Sequence, residues 1–121
     1  MSIKKLNYLK GKTGERIGEA YLISRGYQIL ERNVKSPFGE IDVVANHQKD
    51  LVFIEIKSRK DDAFGFPEES VNEHKRGQLA RLASWYLTRY STIPQVRFDV
   101  LAIQGEAAER QFRLIQNAIQ F

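Results

Sequence analysis

The chain has 121 residues, no cysteine and a formal net charge of +4, and its pI is about 9.4. This length favours one domain with its own core, residues 1–121, and the lack of cysteine excludes disulfides and thiolate metal sites. No run approaches the ~18 apolar residues of a membrane-spanning helix, and the lysine-rich N-terminus lacks the apolar segment of a secretory signal. We therefore expect a cytoplasmic domain. Its positive charge fits either a solvated surface or a polyanionic partner, most often nucleic acid.

The elements are predicted from apolar spacing and turn residues, taken in chain order. Residues 1–12 are assigned to a mobile, lysine-rich arm, and a helix is predicted over Thr13–Arg25, where Gly26 stops it. A second helix is predicted from an N-cap at Asn72 to about Tyr90. Alternation predicts strands at Tyr27–Val34, Glu40–Asn46, Leu51–Ser58 and Val96–Ile103, with a short fifth strand at Gln111–Gln116. The order αβββαβ predicts an α/β fold with a central mixed β-sheet flanked by helices.

The second and third predicted strands carry charges inside otherwise apolar runs, where burial of a charge is costly. Side chains alternate between faces, so Glu40 and Asp42 share a face of one strand, and Glu55 and Lys57 share a face of the next. A tight turn at Gln48-Lys49 places Asp42 opposite Glu55 and Glu40 opposite Lys57. Two carboxylates about 5 Å apart repel each other and destabilise the sheet unless a cation lies between them.

Each of these charged residues, taken alone, is also explained by a plain cross-strand ion pair or a loop cap. As a set they leave an excess negative charge, and their oxygen atoms suit a hard cation such as Mg²⁺ or Mn²⁺. Such an ion typically binds one or two carboxylates, waters and a substrate phosphate. The neighbouring lysine would then act on the phosphate or on the attacking water.

The pattern of Asp42 followed by Glu55-Ile56-Lys57 resembles the signature of the restriction-endonuclease-like PD-(D/E)xK superfamily. The longer segments GERIGEAYLISRGYQILERN, GEIDVVA, LVFIEIKSR, AFGFPEESV and RFDVLAI together resemble the YraN-type uncharacterised bacterial family. This resemblance spans roughly Gly14 to Ile103. The family is similar in pattern to archaeal Holliday junction resolvases, which place an acidic residue on the first helix before a glycine-aromatic pair. Glu15, ahead of Gly26-Tyr27, matches that pattern here.

The resemblance implies a restriction-endonuclease-like fold with Glu15, Asp42, Glu55 and Lys57 as catalytic residues. It also implies that Asp42, Glu55 and the carbonyl of Ile56 hold the Mg²⁺ or Mn²⁺ cofactor. Glu19 lies one helical turn from Glu15 and is the alternative helix carboxylate. Both glutamates are also compatible with an ordinary solvated helix face.

Four cationic residues near the motif are predicted to bind flanking phosphates. Arg59 and Lys60 follow the third strand, and Lys75 and Arg76 lie in the first turns of the second helix. The helix dipole disfavours cations at the N-terminal end of a helix, so the position of these two residues favours binding of an external anion. Ordinary surface charge is the alternative explanation.

Several other residues with chemical potential receive simpler assignments. Phe64 and Phe66 could stack on an unpaired base, but covering the sheet core is the favoured interpretation. His47 and His74 have no partner at metal-ligand spacing and are predicted to lie on the surface. Trp85 is predicted to pack beside the apolar stripe of the second helix.

Three functions compete at this point. The first is a divalent-metal-dependent endonuclease acting on DNA, with branched or damaged DNA as the suggested substrate. The second is a non-catalytic nucleic-acid-binding module on a nuclease scaffold, and the third is a protein–protein adaptor. The set of Asp42, Glu55 and Lys57 favours the first, because a binding module gains nothing from carboxylates aimed at phosphates. A homodimer is expected by analogy with junction nucleases.

Overall fold

A five-stranded mixed sheet forms the centre of the computed structural model, which describes residues 3–59 and 73–119, with side chains for 14–59 and 74–119. The elements are α1 (Ile3–Ser24), β1 (Gln28–Ser36), β2 (Gly39–His47), β3 (Asp50–Arg59), α2 (Glu73–Leu87), β4 (Gln95–Gln104) and β5 (Gln111–Ile115). The strands lie in sequence order across the sheet. All neighbours are antiparallel except β3 and β4, which are parallel. The predicted α/β class with a mixed sheet is therefore confirmed.

The two helices cover opposite faces of the sheet, because β2 and β3 are apolar on both sides. Val43 and Ile54 belong to the core on the α1 side, whereas Val44 and Phe53 belong to the core on the α2 side. Phe53 is fully buried and contacts the ring of Tyr86 on α2 at 5.4 Å between centroids. A continuous apolar run is what a strand covered on both faces requires.

The first helix starts earlier than predicted. Residues 3–12, which were assigned to a mobile arm, lie within the range of α1, so the helix begins ten residues before the predicted Thr13. The sequence carries a signal for this, since Ile3, Leu6 and Leu9 recur every three residues among lysines, which are good helix formers. None of the helices in ranges 3–59 and 73–119 is long and apolar enough to cross a membrane.

The β2–β3 hairpin has the predicted register wherever the two strands pair. His47 lies opposite Asp50, and Val43 lies opposite Ile54. Gln48 adopts a positive φ of 56°, as a tight hairpin turn requires. Backbone pairing between β2 and β3 ends at Val43, so the neighbouring Asp42 is not part of the ladder. The candidate site lies at this end of the ladder.

A buried polar cluster occupies the turn end of the same hairpin. Asp99 is 1% exposed, and both of its oxygens accept hydrogen bonds from Arg97 at 2.9 Å. His47 lies 2.8 Å from Arg97 through Nδ1 and stacks on the ring of Tyr27 at 4.0 Å between centroids. The prediction that His47 lies on the surface is wrong, since only 8% of it is exposed. His74 is exposed, as predicted.

Candidate active site

Asp42 connects β2 to β3 through its side chain at the place where backbone pairing stops. The N–H of Ile56 donates a hydrogen bond of 2.7 Å to Oδ2 of Asp42. This bond takes the position of the next ladder bond and fixes the carboxylate between the two strands. Ile56, which was predicted to offer its carbonyl to a metal, therefore also uses its N–H to hold the predicted metal ligand.

The carboxyl group of Asp42 is easily protonated, because it lies in a half-buried and negatively charged setting. Burial, together with the nearby charges of Glu55 and Glu15, raises its pKa to about 6. The Ile56 hydrogen bond and Lys57 act in the opposite direction but do not offset these effects. Asp42, Glu55 and Glu15 thus belong to one electrostatic group.

Glu55 binds two lysines with one of its oxygens. Oε1 lies 3.2 Å from Nζ of Lys57 on the same strand and 3.2 Å from Nζ of Lys75 on α2. Oε2 is buried and has no hydrogen-bond partner in the part of the chain that the structure describes. A buried carboxylate oxygen without a donor costs free energy, so it marks a place where a cation or donor is required.

Glu15 comes close to this group because α1 approaches β3 closely. Gly14 and Gly18 lie one turn apart on α1, and a Cβ atom at Gly18 would be only 2.9 Å from Cδ1 of Ile56. A Cβ atom at Gly14 would contact Ser58 at 3.6 Å. The two glycines let the helix lie near the strand, with Glu15 beside them.

Glu19, the alternative helix carboxylate, is engaged elsewhere. Its Oε1 accepts a hydrogen bond from Nε of Arg32 on β1, so it belongs to a surface ion pair between α1 and β1. Among the charges that act on Asp42, Glu15 appears and Glu19 does not. Glu15 is therefore the helix residue that the geometry associates with the candidate site.

The predicted phosphate-binding residues separate into distinct positions. Lys75 is bonded to Glu55 and belongs to the carboxylate group itself. Arg59 is half-buried at the end of β3, and Arg76 is exposed on α2. Lys60 lies outside the described residues, as do Phe64 and Phe66.

The contact between Lys75 and Glu55 was not predicted, although the sequence contains a signal for it. Lys75 precedes Leu79 by four residues and Leu82 by seven, so it shares the face of α2 that packs on the sheet. A charged residue at the end of a core-facing stripe is expected to bind a partner on the sheet below it. The partner could not be identified without knowing where α2 crosses β3.

The donor set fits a divalent cation only in part. Within residues 14–59 and 74–119, no group of three or more His, Asp or Glu side chains could hold a metal ion by itself. Mg²⁺ does not require such a cage, because it keeps several waters and binds through one or two carboxylates together with substrate phosphate. Asp42 and Glu55, with a buried oxygen lacking a donor, meet that smaller requirement.

Together, the fold and the site define an α/β protein that carries a cluster of acidic residues and lysines where β2 and β3 diverge. Residues 14–103 match the uncharacterised protein family UPF0102, and the chain belongs to this family. The resemblance to the YraN-type family is thereby confirmed. The matched range contains Glu15, Asp42, Glu55 and Lys57.

Similar proteins occur in several bacteria. A UPF0102 protein of Thermodesulfovibrio yellowstonii is 44% identical over 108 residues, which is 89% of this chain and 93% of the relative. A UPF0102 protein of Moorella thermoacetica is 45% identical over 102 residues, covering 84% and 85% of the two chains. The relative in Syntrophus aciditrophicus is 36% identical over 115 residues, covering 94% and 91%. Membership brings no activity with it, so the function has to be argued from the site.

The raised pKa of Asp42 predicts a stability change with pH. An aspartate ordinarily titrates near 3.8, so folding favours the protonated form, and stability falls as pH rises from about 4 to about 6. We expect Asp42→Asn to be more stable than wild type at pH 8 by at most about 3 kcal/mol, with the difference shrinking toward pH 4. Urea unfolding in EDTA at both pH values measures this. Glu40→Gln, at an exposed position on the same strand, is the control. A stabilisation independent of pH would contradict the assignment.

Proposed function

We propose that this protein is a divalent-metal-dependent endonuclease that hydrolyses phosphodiester bonds in DNA, with branched or damaged DNA as the favoured substrate. The observation that carries the proposal is the buried Oε2 of Glu55, which has no donor among the described residues and belongs to the same electrostatic group as Asp42. Three carboxylates and two lysines meet there among the described side chains. That leaves one excess negative charge (two minus three) for a cation to neutralise.

The distribution of charge supports a polyanionic substrate. The whole chain carries +4, whereas the local group of Glu15, Asp42 and Glu55 with its two lysines is negative. A phosphate would be repelled by those carboxylates alone, but it would be attracted once a divalent cation is bound between them. This combination suits a site that binds metal and phosphate together. A homodimer remains an expectation by analogy.

In this proposal the chain's own residues have separate roles. Asp42 and Glu55, with the Ile56 carbonyl, would hold Mg²⁺ or Mn²⁺, and Glu15 would add negative charge beside them. The bound ion would supply Lewis-acid polarisation of the phosphate and a more acidic water. Lys57, whose side chain is 34% exposed and 3.2 Å from Glu55, would orient the attacking water or stabilise charge on the pentacoordinate phosphate.

Cleavage of a panel of DNA structures tests this function directly. The panel contains a single strand, a blunt duplex, a nicked duplex, a flap and a four-way junction, each incubated with Mg²⁺, Mn²⁺ or EDTA. We expect cleavage with a metal and none in EDTA. Failure to cut any member of the panel with either metal would reject the endonuclease.

One observation favours the non-catalytic binding module as a second candidate. Two lysines already contact Glu55, and no group of three or more acidic or histidine side chains in the described ranges could hold an ion by itself. A cluster of carboxylates whose charge is largely neutralised by lysines can serve a purely structural role. DNA binding that weakens with rising salt, without cleavage under any metal condition, would identify this alternative.

Metal binding should raise the unfolding temperature, and above the Kd the rise should grow with the logarithm of the metal concentration. An ion that binds only the folded chain stabilises it by RT ln(1 + [M]/Kd), so Mg²⁺ at 100 times its Kd adds about 2.7 kcal/mol. The shift should vanish in Glu55→Gln, which keeps the side chain's size but loses the charge. Thermal unfolding with a Mg²⁺ or Mn²⁺ titration measures it, with Glu40→Gln as the matched control. An equal shift in Glu55→Gln would place the ion elsewhere.

A further inference from the structure

An open apolar groove runs along the outer side of α2, next to the turn between β1 and β2. Its volume is about 450 Å³, and it is lined by Phe38, Ala80, Arg81, Ser84, Trp85 and Thr88. Ala80, Ser84 and Thr88 recur every four residues, so their small side chains form a shallow floor along the helix. Aromatic rings lie at this floor from two different elements, Phe38 from the turn and Trp85 from α2.

Phe38 is exposed for a structural reason. It is 39% exposed at the tip of a turn whose shape is fixed by Ser36. Oγ of Ser36 accepts the N–H of Phe38 at 3.0 Å and donates to the carbonyl of Gly39 at 2.9 Å. The ring is thus presented at a fixed position instead of being buried. The exposed ring is therefore available to stack on a flat partner.

The charges around the groove indicate the chemistry of its occupant. Between residues 74 and 90 the sequence contains no carboxylate, but Lys75 is bound to Glu55 and Arg89 lies 2.8 Å from Glu31, so these two charges are already balanced. Arg81 itself lines the groove, and the guanidinium of Arg89 lies 5.4 Å from the ring centroid of Trp85. Aromatic rings interleaved with arginines are what unpaired nucleic acid requires, since rings stack on bases and cations bind phosphates. An apolar protein segment would gain nothing from the charge of Arg81 at the groove.

The turn that carries Phe38 leads along β2 to Asp42. Gly39, which follows Phe38, lies against the side-chain amide of Gln78 on α2, so the turn and the helix are in contact there. Asp42 lies four residues beyond Phe38 along β2, a distance of about 13 Å in an extended strand. A stacked nucleic-acid strand rises about 3.4 Å per nucleotide, so about four nucleotides would span that length of β2.

We infer that this groove binds an unpaired base of the substrate strand, stacked between Phe38 and Trp85 with its phosphate near Arg81. The inference rests on the proposed function and narrows its substrate to DNA with a single-stranded segment close to the cleaved bond. A base inside a duplex is already stacked and paired, and it would have to be extruded to reach the groove. Flaps, bulges and the open centres of junctions offer such bases without that cost.

Trp85 is the single tryptophan of the chain, so its fluorescence reports on the groove alone. The titration uses a twelve-nucleotide oligo-dT single strand and a blunt duplex of equal length, in EDTA and low salt so that cleavage does not interfere. We expect the single strand to quench Trp85 and to bind about tenfold or more weakly to Phe38→Ala, by the usual effect of losing one base–aromatic stack. Phe38→Tyr should restore both signals.

Matched controls separate the groove from general DNA binding. Ile23→Ala removes another exposed large apolar side chain, 56% exposed on α1 across the sheet, and should bind like wild type. Arg81→Gln should weaken binding and lower the salt dependence by about one phosphate contact, whereas Arg25→Gln, in the turn after α1, should not. Circular dichroism on each variant checks that it is folded.

Several outcomes would overturn the inference. Unchanged Trp85 emission at saturation, or equal binding by Phe38→Ala and wild type, would show that no base enters the groove. A Trp85 signal that changes with protein concentration without DNA would assign the groove to a second copy of the chain. If wild type cleaves and Phe38→Ala cleaves a flap equally well, this inference fails and the endonuclease survives. If wild type binds no nucleic acid at low salt, both fail.

Discussion

Replacing Asp42 with Asn should abolish metal-dependent cleavage while DNA affinity stays equal or rises. The amide has the same size, and its oxygen can still accept the Ile56 N–H, so the local fold should persist. It loses the charge that would hold the ion, and we expect cleavage to drop by at least about 100-fold. Removal of a negative charge near phosphates favours binding. Single-turnover cleavage and anisotropy with the same labelled DNA measure the two effects.

Lys57→Ala should also stop cleavage, but with the opposite effect on binding. It removes a cation and leaves Glu55 with Lys75 as its remaining lysine partner in the described residues, so affinity for DNA should fall. Glu40→Gln, on the same strand but exposed, should retain cleavage. Cleavage by Asp42→Asn at the wild-type rate would show that the site is wrongly assigned. If Asp42→Asn and Lys57→Ala changed the affinity for DNA in the same direction, the roles proposed for their charges would be contradicted.

The hairpin was predictable from sequence because its geometry is local. Alternation sets the faces of β2 and β3, and the Gln48-Lys49 turn sets the register, so Asp42 and Glu55 could be placed together from residue types alone. The strand limits also agree with the observed ones to within two residues. What the pairing pattern did not predict was the end of the ladder at Val43, where a side chain replaces a backbone bond.

The choice between Glu15 and Glu19 was not predictable, since both lie on one face of the same helix. It depends on where α1 crosses β3, and that crossing is set by the close contact at Gly14 and Gly18. A glycine inside a helical pattern lowers the expected stability of the helix, and its role in close packing can be recognised only when the contacting residue is known. The contact between Lys75 and Glu55 could not be predicted for a similar reason, because it depends on where α2 crosses β3.

The burial of His47 was missed for a different reason. A histidine beside a polar turn is ordinarily exposed. His47 instead stacks on Tyr27 and contacts Arg97, and both of these residues are distant from it in the sequence. Only the folded sheet brings these polar groups to one end. The hydrogen bonds of this cluster among the described residues assign it to stability.

Asp99→Ala should destabilise the protein by about 3–5 kcal/mol, the usual effect of removing one partner of a buried ion pair. The Asp99 side chain has no exposed surface, and it accepts hydrogen bonds from Arg97, from the Tyr27 hydroxyl at 2.6 Å and from the N–H of Asn117 at 2.9 Å. Burial, together with the Asp99 hydrogen bond, raises the pKa of Tyr27 to about 12, so its phenol stays a donor across the neutral range. Truncation leaves Arg97 charged and 89% buried without this acceptor. Urea unfolding at pH 7 measures the loss.

Asp50→Ala is the matched control, because Asp50 also binds Arg97 but in a more solvated position. Its side chain is 24% exposed and accepts one bond at 3.1 Å, so its removal should cost about 1 kcal/mol or less. Replacing both charges, as in Arg97→Met with Asp99→Leu, should be less destabilising than Asp99→Ala alone, because no unpaired buried charge is left. If Asp99→Ala lost no more stability than Asp50→Ala, Arg97 would have to be solvated in solution. The buried cluster would then not be what fixes the turn end of the sheet.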